Sequence, residues 1–537
     1  MDTLNYLLGV DSTSTLEAAE ENGDSSFTAE QLQVLAALDM ARQRIETLDT
    51  HPDFSSMQWA EWLLQRSDGF ILAHRLRALA TGEEPIAPDT STLAGCLSGL
   101  ITDLYAGLVL PVSGPFGMSP AHNLAGAYYR HPLRETFEDL VMQDRDLKRI
   151  FPRNEEHTGQ MGYTTRSTGQ GGTIQLTMFA QEIIGAGIKL ARFEQSALSP
   201  EQVAQDALRC LELIRSALRG EDVRVPVRVG LTGVLLPDAR TEMDFGWARL
   251  RRADSSDAHL WAATSLDEAG SLTTTTEQGE TVEISYRGDL ILEFDAPYKM
   301  VLGERDISEA WPAEMMAVWD RFTEISESLR LGLLLADPDH RTLVVTTWQS
   351  VLDPISHSNG LGWADAKTVP NLMARQLTAD DVDQWLTWSK AIDEHRIPTI
   401  GVAIRRMLMA VAERRNPEDV LVDAVVVWEN LFGAKSETTL RIASSLALLL
   451  SSEEATATER LANQSTYKRL YALRSGVVHG APNADLKKLQ QGADDAVKIS
   501  MAALREIFSE QVDLLTIKTS EDRSLHLIHR GDKRSRS

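Results

Sequence analysis

Apolar residues recur along this chain with two different periods, and each period predicts a different kind of element. In residues 28–48 and 173–193 they return every three or four positions, which is the spacing of one face of an α-helix. In residues 222–236 and 290–295 apolar and polar residues alternate, which is the pattern of a half-buried β-strand. The helical spacing returns in residues 486–508. We therefore predict an α+β fold.

The positions at which the period changes set the expected domain boundaries. We expect a mainly helical N-terminal region over residues 1–220, a β-rich module over 221–350 and a connecting segment over 351–384. An all-α helical bundle is expected over 385–515, followed by a basic, disordered tail over 516–537. A chain of 537 residues is also too long for one hydrophobic core, so a multidomain protein is expected.

Helix-boundary signals are clearest in the expected C-terminal bundle. Asn416 followed by Pro417 is typical of an N-cap and the first helical position. Residues 420–432 are apolar almost all round, which predicts a helix at the centre of the bundle. Thr456 with Glu459 forms a capping-box pattern at the start of another helix. The short connections between these helices indicate an antiparallel bundle.

Composition and cysteine count narrow the class of protein. Hydrophobic residues make up 43% of the chain and charged residues 24%, which are ordinary values for a folded protein. The two cysteines, Cys96 and Cys210, are too few for a disulfide framework or a four-thiolate metal site, so a reducing cytoplasm is expected. No segment approaches the roughly 20 uninterrupted apolar residues of a membrane span, and the N-terminus does not resemble a signal peptide. We predict a cytoplasmic protein without membrane association, metal or cofactor.

One short segment is basic although the whole chain is acidic, with a formal net charge of -25. Between residues 460 and 480 the Lys and Arg side chains are Arg460, Lys468, Arg469 and Arg474, and there is no Asp or Glu. The acidic balance argues against nonspecific nucleic-acid binding over the whole surface. The segment is either the solvated face of an ordinary helix or a local site that concentrates an anionic substrate.

The basic segment ends in LYALRSGVVHG, in which four residues separate Arg474 from His479. This R-x4-H pattern resembles the signature of the HEPN superfamily, and within it the Apea-like HEPN proteins. The resemblance continues upstream, where 417–432 is similar to the family's acid-containing central helix and 440–450 to its next helix. It covers about residues 385–512 and implies an all-α HEPN bundle at the C-terminus.

The resemblance implies metal-independent cleavage of RNA, in which the ribose 2′-OH attacks the adjacent phosphorus and leaves a 2′,3′-cyclic phosphate. His479 would move protons, because imidazole changes its charge near neutral pH. Arg474 would hold the phosphorane oxygens with its planar set of donors. The neighbouring cations would bind the RNA backbone: Arg460, Lys468 and Arg469.

Three further residues are candidates for assisting roles. Ser475 could donate a hydrogen bond to the phosphate, and Tyr471 could stack on a base or position the arginine of the motif. Glu429 lies in the predicted central helix and resembles the family's acid near the active site. A buried acid needs a partner, and Arg441 in the next helix is the expected one. A structural ion pair is therefore the alternative to a role of Glu429 in proton transfer.

The spacing of the motif imposes a geometric condition. On an ideal helix positions 474 and 479 lie about 140° apart, since each residue advances the helix by about 100°. Either the helix unwinds at Gly476, or two chains pair so that their motifs face each other across a two-fold axis. The second arrangement is usual in the HEPN family, so the expected partners are an RNA substrate and a second copy of this chain in a homodimer.

A structural explanation of the same residues remains open. His479 precedes Gly480 and Pro482, which is typical of a helix end, and Arg474 could lie on a solvated face. The alternative function is a noncatalytic HEPN module that binds RNA or dimerises in a regulatory protein. For a ribonuclease, the resemblance implies a regulated toxin or an antiviral, anti-phage defence effector. A trigger or inhibitor would then bind the N-terminal or β-rich region.

Overall fold

The computed structural model combines helices at both ends of the chain with strands in the middle, so the broad α+β class is confirmed. It describes residues 2–10, 27–47, 55–67, 69–83, 89–110, 124–152, 160–169, 171–196, 198–254, 257, 271–275, 281–285, 288–303, 312–339, 343–356, 362–363, 374–452, 454–479 and 485–534. Within these ranges no helix combines the length and the apolar composition of a membrane span.

The described residues up to 143 form seven helices and one short pair of strands. The described elements are α1 (Asp2–Leu8), α2 (Ala29–Glu46), α3 (Ser55–Leu63), β1 (Arg66–Ser67), β2 (Phe70–Ile71), α4 (Leu72–Thr81), α5 (Leu93–Leu108), α6 (Ala125–Tyr129) and α7 (Leu133–Gln143). The side chain of Thr92 accepts the Gly95 N–H and caps α5. Leu97, Leu100 and Leu104 of α5 are buried in the core of this region.

A β-hairpin and two long helices complete the N-terminal region. They are β3 (Met161–Arg166), β4 (Gly171–Gln175), α8 (Leu176–Phe193) and α9 (Pro200–Arg219). Helices α8 and α9 approach closely at Gly187, where an added Cβ would lie 2.7 Å from the backbone nitrogen of Ala207. The region expected to be mainly helical therefore also contains a hairpin, which β3 and β4 form by antiparallel pairing.

An antiparallel sheet forms the centre of the β-rich module. The elements are β5 (Val223–Thr232), β6 (Val234–Leu235), β7 (Glu242–Asp244), β8 (Arg249–Arg252), β9 (Ser271–Thr275), β10 (Thr281–Ser285), β11 (Leu290–Tyr298), β12 (Met300–Leu302), α10 (Ala317–Ala336), β13 (Val345–Val351), β14 (Gly362–Trp363) and β15 (Arg375–Gln376). The main sheet has six described strands in the order β14-β13-β5-β11-β8-β7. Strands β5 and β11 pair from Leu231 with Leu290 to Val223 with Tyr298. Strand β12 pairs with β3 and so connects the hairpin to this module.

Helix α10 differs from the expectation of a β-rich segment up to residue 350. One side of α10, with Ile325 and Leu329, lies in the core of the sheet. Another side, with Leu331 and Leu334, lies in the core of the C-terminal bundle. Because α10 is apolar on both sides, it is buried between the two parts and joins them.

The C-terminal bundle contains only helices among its described elements. Its described helices are α11 (Ala379–His395), α12 (Gly401–Leu408), α13 (Pro417–Phe432), α14 (Thr438–Leu450), α15 (Ala457–Val478), α16 (Leu486–Ser509) and α17 (Ser520–Arg534). It begins earlier than the expected residue 385, because Thr378 and Asp381 form a capping box ahead of α11. Helix α13 contacts α12, α14, α15, α16 and α17, and the Trp428 indole N–H donates to Ser500 Oγ at 2.9 Å. The prediction that α13 is the central helix is confirmed.

The last helix corrects the prediction of a disordered tail over 516–537. Helix α17 covers most of that range, and its Arg523 side chain is buried, with 1% of the residue exposed. The guanidinium donates to the backbone oxygens of Leu431 and Asn430, both at 2.9 Å. Buried hydrogen bonds therefore order a segment whose composition alone resembles a solvated tail.

Candidate functional site

Helix α15 carries the R-x4-H motif, and its two ends are well defined. The Thr456 hydroxyl accepts the Glu459 N–H at 3.2 Å, and the Glu459 carboxylate accepts the Thr456 N–H at 2.7 Å, which confirms the predicted capping box. His479 is the C-cap, and its backbone N–H donates to the Ser475 carbonyl at 3.1 Å. The helix continues through Gly476, so the unwound form of the motif is not adopted.

Three side chains form a hydrogen-bonded cluster between α13 and α15. The Tyr471 hydroxyl donates to Glu429 Oε1 at 2.8 Å, and Arg474 Nη2 donates to Glu429 Oε2 at 3.2 Å. The side chains of Arg474 and Glu429 are 20% and 27% exposed, so the ion pair is partly open to solvent. The carboxylate of the central helix thus holds both the tyrosine and the arginine of the motif helix.

The predicted ion pair between Glu429 and Arg441 is wrong. Arg441 Nη1 instead donates to Glu521 Oε1 at 3.2 Å. Glu521 lies in the first turn of α17, within the range predicted to be a disordered tail. Because α17 supplies this acid beside α14, Glu429 is left to pair with the motif helix.

Burial and charge in the cluster stabilise the protonated form of Tyr471. Burial raises the pKa of Tyr471 to about 12, and the hydrogen bond to Glu429 and the negative charge of Glu429 add to this effect. The hydroxyl therefore remains a donor near neutral pH. Arg474 Nε is buried and has no hydrogen-bond partner among the described residues. Buried donors without a partner are rare in folded proteins.

His479 and Ser475 lie on a different face of α15 from Arg474. They are four residues apart and thus about 40° apart around the helix, whereas Arg474 and His479 are about 140° apart. His479 is exposed, and Ser475 is partly exposed. One chain therefore brings Arg474 together with Tyr471 and Glu429, but it does not bring Arg474 together with His479.

The three cations expected to bind RNA are spread along α15. Arg460 lies about 21 Å from Arg474 along the helix axis, and it lines a cavity of about 580 Å³ with residues of α14, α16 and α17. Lys468 and Arg469 lie about 120° and 140° around the helix from Arg474. None of these three residues belongs to the cluster around Glu429.

One exposed lysine that closely follows the motif in the sequence is not among the predicted site residues. Lys488 is exposed in the first turn of α16, and this turn contains no acidic residue. Its position relative to Arg474 depends on the packing of α16 against α15 at Gly492, which no local pattern reveals. The pair Lys487–Lys488, close after the motif, is the only signal in the sequence that points to it.

Comparisons with known proteins give no family assignment. No protein-family model, curated protein or solved structure matches this chain. Among the residues that the structure describes, no group of three or more His, Cys, Asp or Glu side chains is arranged to hold a metal ion. Function must therefore be inferred from the motif, its helices and their contacts.

Proposed function

We propose that this chain is a metal-independent endoribonuclease of the HEPN type, with Arg474 and His479 as its catalytic residues. The cluster of Tyr471, Glu429 and Arg474 supports this proposal most strongly. A merely solvated arginine does not need an acid from the central helix and a tyrosine one turn earlier to orient it. A phosphate-binding arginine does, because its planar donors must point in one direction.

The proposed reaction exchanges one phosphorus–oxygen bond for another. The ribose 2′-oxygen forms a bond to phosphorus while the bond from phosphorus to the 5′-oxygen breaks, which leaves a 2′,3′-cyclic phosphate and a 5′-hydroxyl. His479 accepts the proton of the 2′-OH and returns a proton to the departing 5′-oxygen. Arg474 donates to the nonbridging oxygens, whose negative charge grows in the transition state. Ser475, on the face of His479, adds a hydrogen-bond donor to the phosphate.

The active form is proposed to be a homodimer in which Arg474 of one copy and His479 of the other act on the same phosphate. The angle of about 140° between the two positions supports this arrangement, because a continuous helix cannot direct both at one atom. Exposed apolar side chains beside the motif also support it, since Val478 is 52% and Leu486 68% exposed. A second copy packed against this end of the bundle would cover them.

A ribonuclease of this kind would require restraint in the cell. The N-terminal region and the β-rich module are therefore proposed to bind a trigger or an inhibitor in a cytoplasmic toxin or anti-phage defence effector. The alternative function is a noncatalytic regulatory module that binds RNA or dimerises. Two observations favour the alternative: Arg474 already has an acidic partner within its own chain, and His479 serves as a helix C-cap.

Cleavage of end-labelled RNA in the presence of EDTA tests the proposal. Wild type should cut the RNA and leave a 2′,3′-cyclic phosphate, whereas Arg474→Ala and His479→Ala should each lose cleavage by at least about 100-fold. Arg405→Ala replaces another exposed arginine of the bundle and should cut like wild type. Size-exclusion chromatography and circular dichroism would check that all variants keep fold and assembly. Cleavage at the wild-type rate by either motif variant would refute the proposed site.

A further inference from the structure

Helices α15 and α16 approach each other most closely at Gly492. An added Cβ on Gly492 would lie 2.5 Å from Cδ2 of Leu473 and 3.7 Å from Cδ2 of Leu470. Gly492 therefore faces α15 at the turn just before Arg474. The two helices are separated by the seven residues 479–485 and run antiparallel, so each step toward the start of α16 leads toward the end of α15.

This packing places Lys488 level with the turn of α15 that begins at the motif arginine. Lys488 precedes Gly492 by one turn, so it lies about 6 Å farther along α16 and only about 40° around it. The corresponding turn of α15 runs from Arg474 to Val477. Lys487 is in the same turn of α16 but lies about 140° away from Gly492. Of the two exposed lysines, Lys488 is thus the one that faces α15.

The charges in the first turn of α16 are not those that stabilise a helix. The first turn of a helix favours acids, because the N-terminal end of the helix dipole is positive. Here the first turn of α16 contains Lys487 and Lys488 and no acid, while Asp485 serves as the N-cap and accepts the Lys487 N–H at 3.1 Å. Next along α16, Asp495 accepts a hydrogen bond from Gln491 at 2.8 Å. The lysines therefore add positive potential where the helix end is already positive.

We propose that Lys488 binds the RNA phosphate adjacent to the one that Arg474 contacts, and so positions the strand for cleavage. This inference rests on the proposed function, because it takes RNA as the substrate of the Arg474 site. Lys488 is a positioning residue: it binds the backbone of single-stranded RNA beside the cluster around Glu429 and does not touch the reacting atoms. The contact is to phosphate, so it does not select a base.

Binding of an RNA that cannot be cut tests the inference separately from catalysis. The probe is a fluorescein-labelled single-stranded RNA with 2′-O-methyl groups throughout, and anisotropy gives its Kd for the full-length protein over a range of salt concentrations. Lys488→Ala should weaken binding by roughly fivefold and reduce the slope of log Kd against log salt by about 0.7, the value for one lost phosphate contact. Lys487→Ala should bind like wild type, and Lys488→Arg should restore most of the affinity. Lys488→Ala should also melt no earlier than wild type.

Cleavage of unmodified RNA by the same proteins shows which claim fails. Equal binding by the Lys488→Ala and Lys487→Ala variants, or no binding by wild type, would overturn the role of Lys488. If Arg474→Ala then still abolishes cleavage, the ribonuclease proposal stands without it. A raised KM with unchanged kcat in Lys488→Ala would support positioning. Selective loss of binding in Lys488→Ala, with no cleavage by wild type, would support the phosphate contact and refute the ribonuclease proposal.

Discussion

Arg523→Met would remove the buried guanidinium that joins α17 to the end of α13. Its Nε donates to the Leu431 oxygen at 2.9 Å, its Nη2 to the Asn430 oxygen at 2.9 Å, and its Nη1 to the Ile517 oxygen at 2.8 Å. Two of these oxygens lie in the last turn of α13, where backbone acceptors have no partner within the helix. Methionine keeps an apolar stem of similar length but supplies no donor.

The expected loss of stability combines the loss of three hydrogen bonds with the removal of a buried charge, which partly offsets it. Hydrogen bonds to a charged donor are worth roughly 1.5 kcal/mol or more each, which gives about 5 kcal/mol for the three. Burial lowers the pKa of Arg523, because the charged group is poorly solvated there. Removing the charge relieves part of that cost. We expect the free energy of unfolding of the bundle to fall by about 3 kcal/mol.

Urea unfolding and amide hydrogen exchange would measure this loss. A decrease of about 3 kcal/mol corresponds to roughly 100-fold faster exchange through opening of the last turn of α13, next to Glu429. Arg530→Met is the control in the same helix. Arg530 is 42% exposed and donates to Gln511 Oε1 at 2.9 Å, and its loss should lower stability by less than about 1 kcal/mol. Equal destabilisation by the two variants, or wild-type exchange in α13, would refute the role of Arg523.

Three further substitutions test other contacts. Gly332→Ala places a Cβ 2.8 Å from the backbone nitrogen of Ser389, so it should separate α10 from α11 and lower the free energy of unfolding by about 1–3 kcal/mol; an unchanged melting temperature would contradict this. Burial lowers the pKa of Lys189 from 10.5 to about 7. Above that pH the unfolded chain binds a proton at Lys189 that the folded chain does not. The free energy of unfolding of wild type should therefore rise by roughly 2–3 kcal/mol relative to that of Lys189→Met between about pH 6 and about pH 9. A difference in urea midpoints that is independent of pH would disprove the shift. Glu429→Gln should leave the melting temperature nearly unchanged, because the ion pair with Arg474 is partly exposed. It should lower kcat/KM for RNA about fivefold, because Arg474 is no longer held in one orientation. Faster cleavage would mean that Glu429 restrains the site instead.

The central part of the bundle could be predicted because its signals are local. The capping box at Thr456 depends on residues three apart, and the burial of α13 follows from apolar side chains on all its faces. Helix α17 could not be predicted in this way. Its order depends on Arg523 reaching carbonyls of α13, a contact between residues about ninety positions apart, and charged residues otherwise predict a solvated segment.

The candidate site could likewise be predicted only in part. The motif residues Arg474 and His479 could be found from their spacing, but the partner of Glu429 could not. Sequence proximity favoured Arg441, whereas the crossing of α13 and α15 puts Arg474 there. Lys488 was missed for a related reason, because its place is set by the contact of another helix with α15.

Complementation between two inactive variants tests the composite site most directly. Arg474→Ala and His479→Ala would each be purified, shown to form dimers, and mixed so that subunits exchange. If each site takes its arginine from one copy and its histidine from the other, a mixed dimer keeps one intact site. The mixture should then recover roughly a quarter of wild-type RNA cleavage, as random pairing of two chains requires. Cleavage no greater than the sum of the separate variants, although mixed dimers are present, would contradict the account.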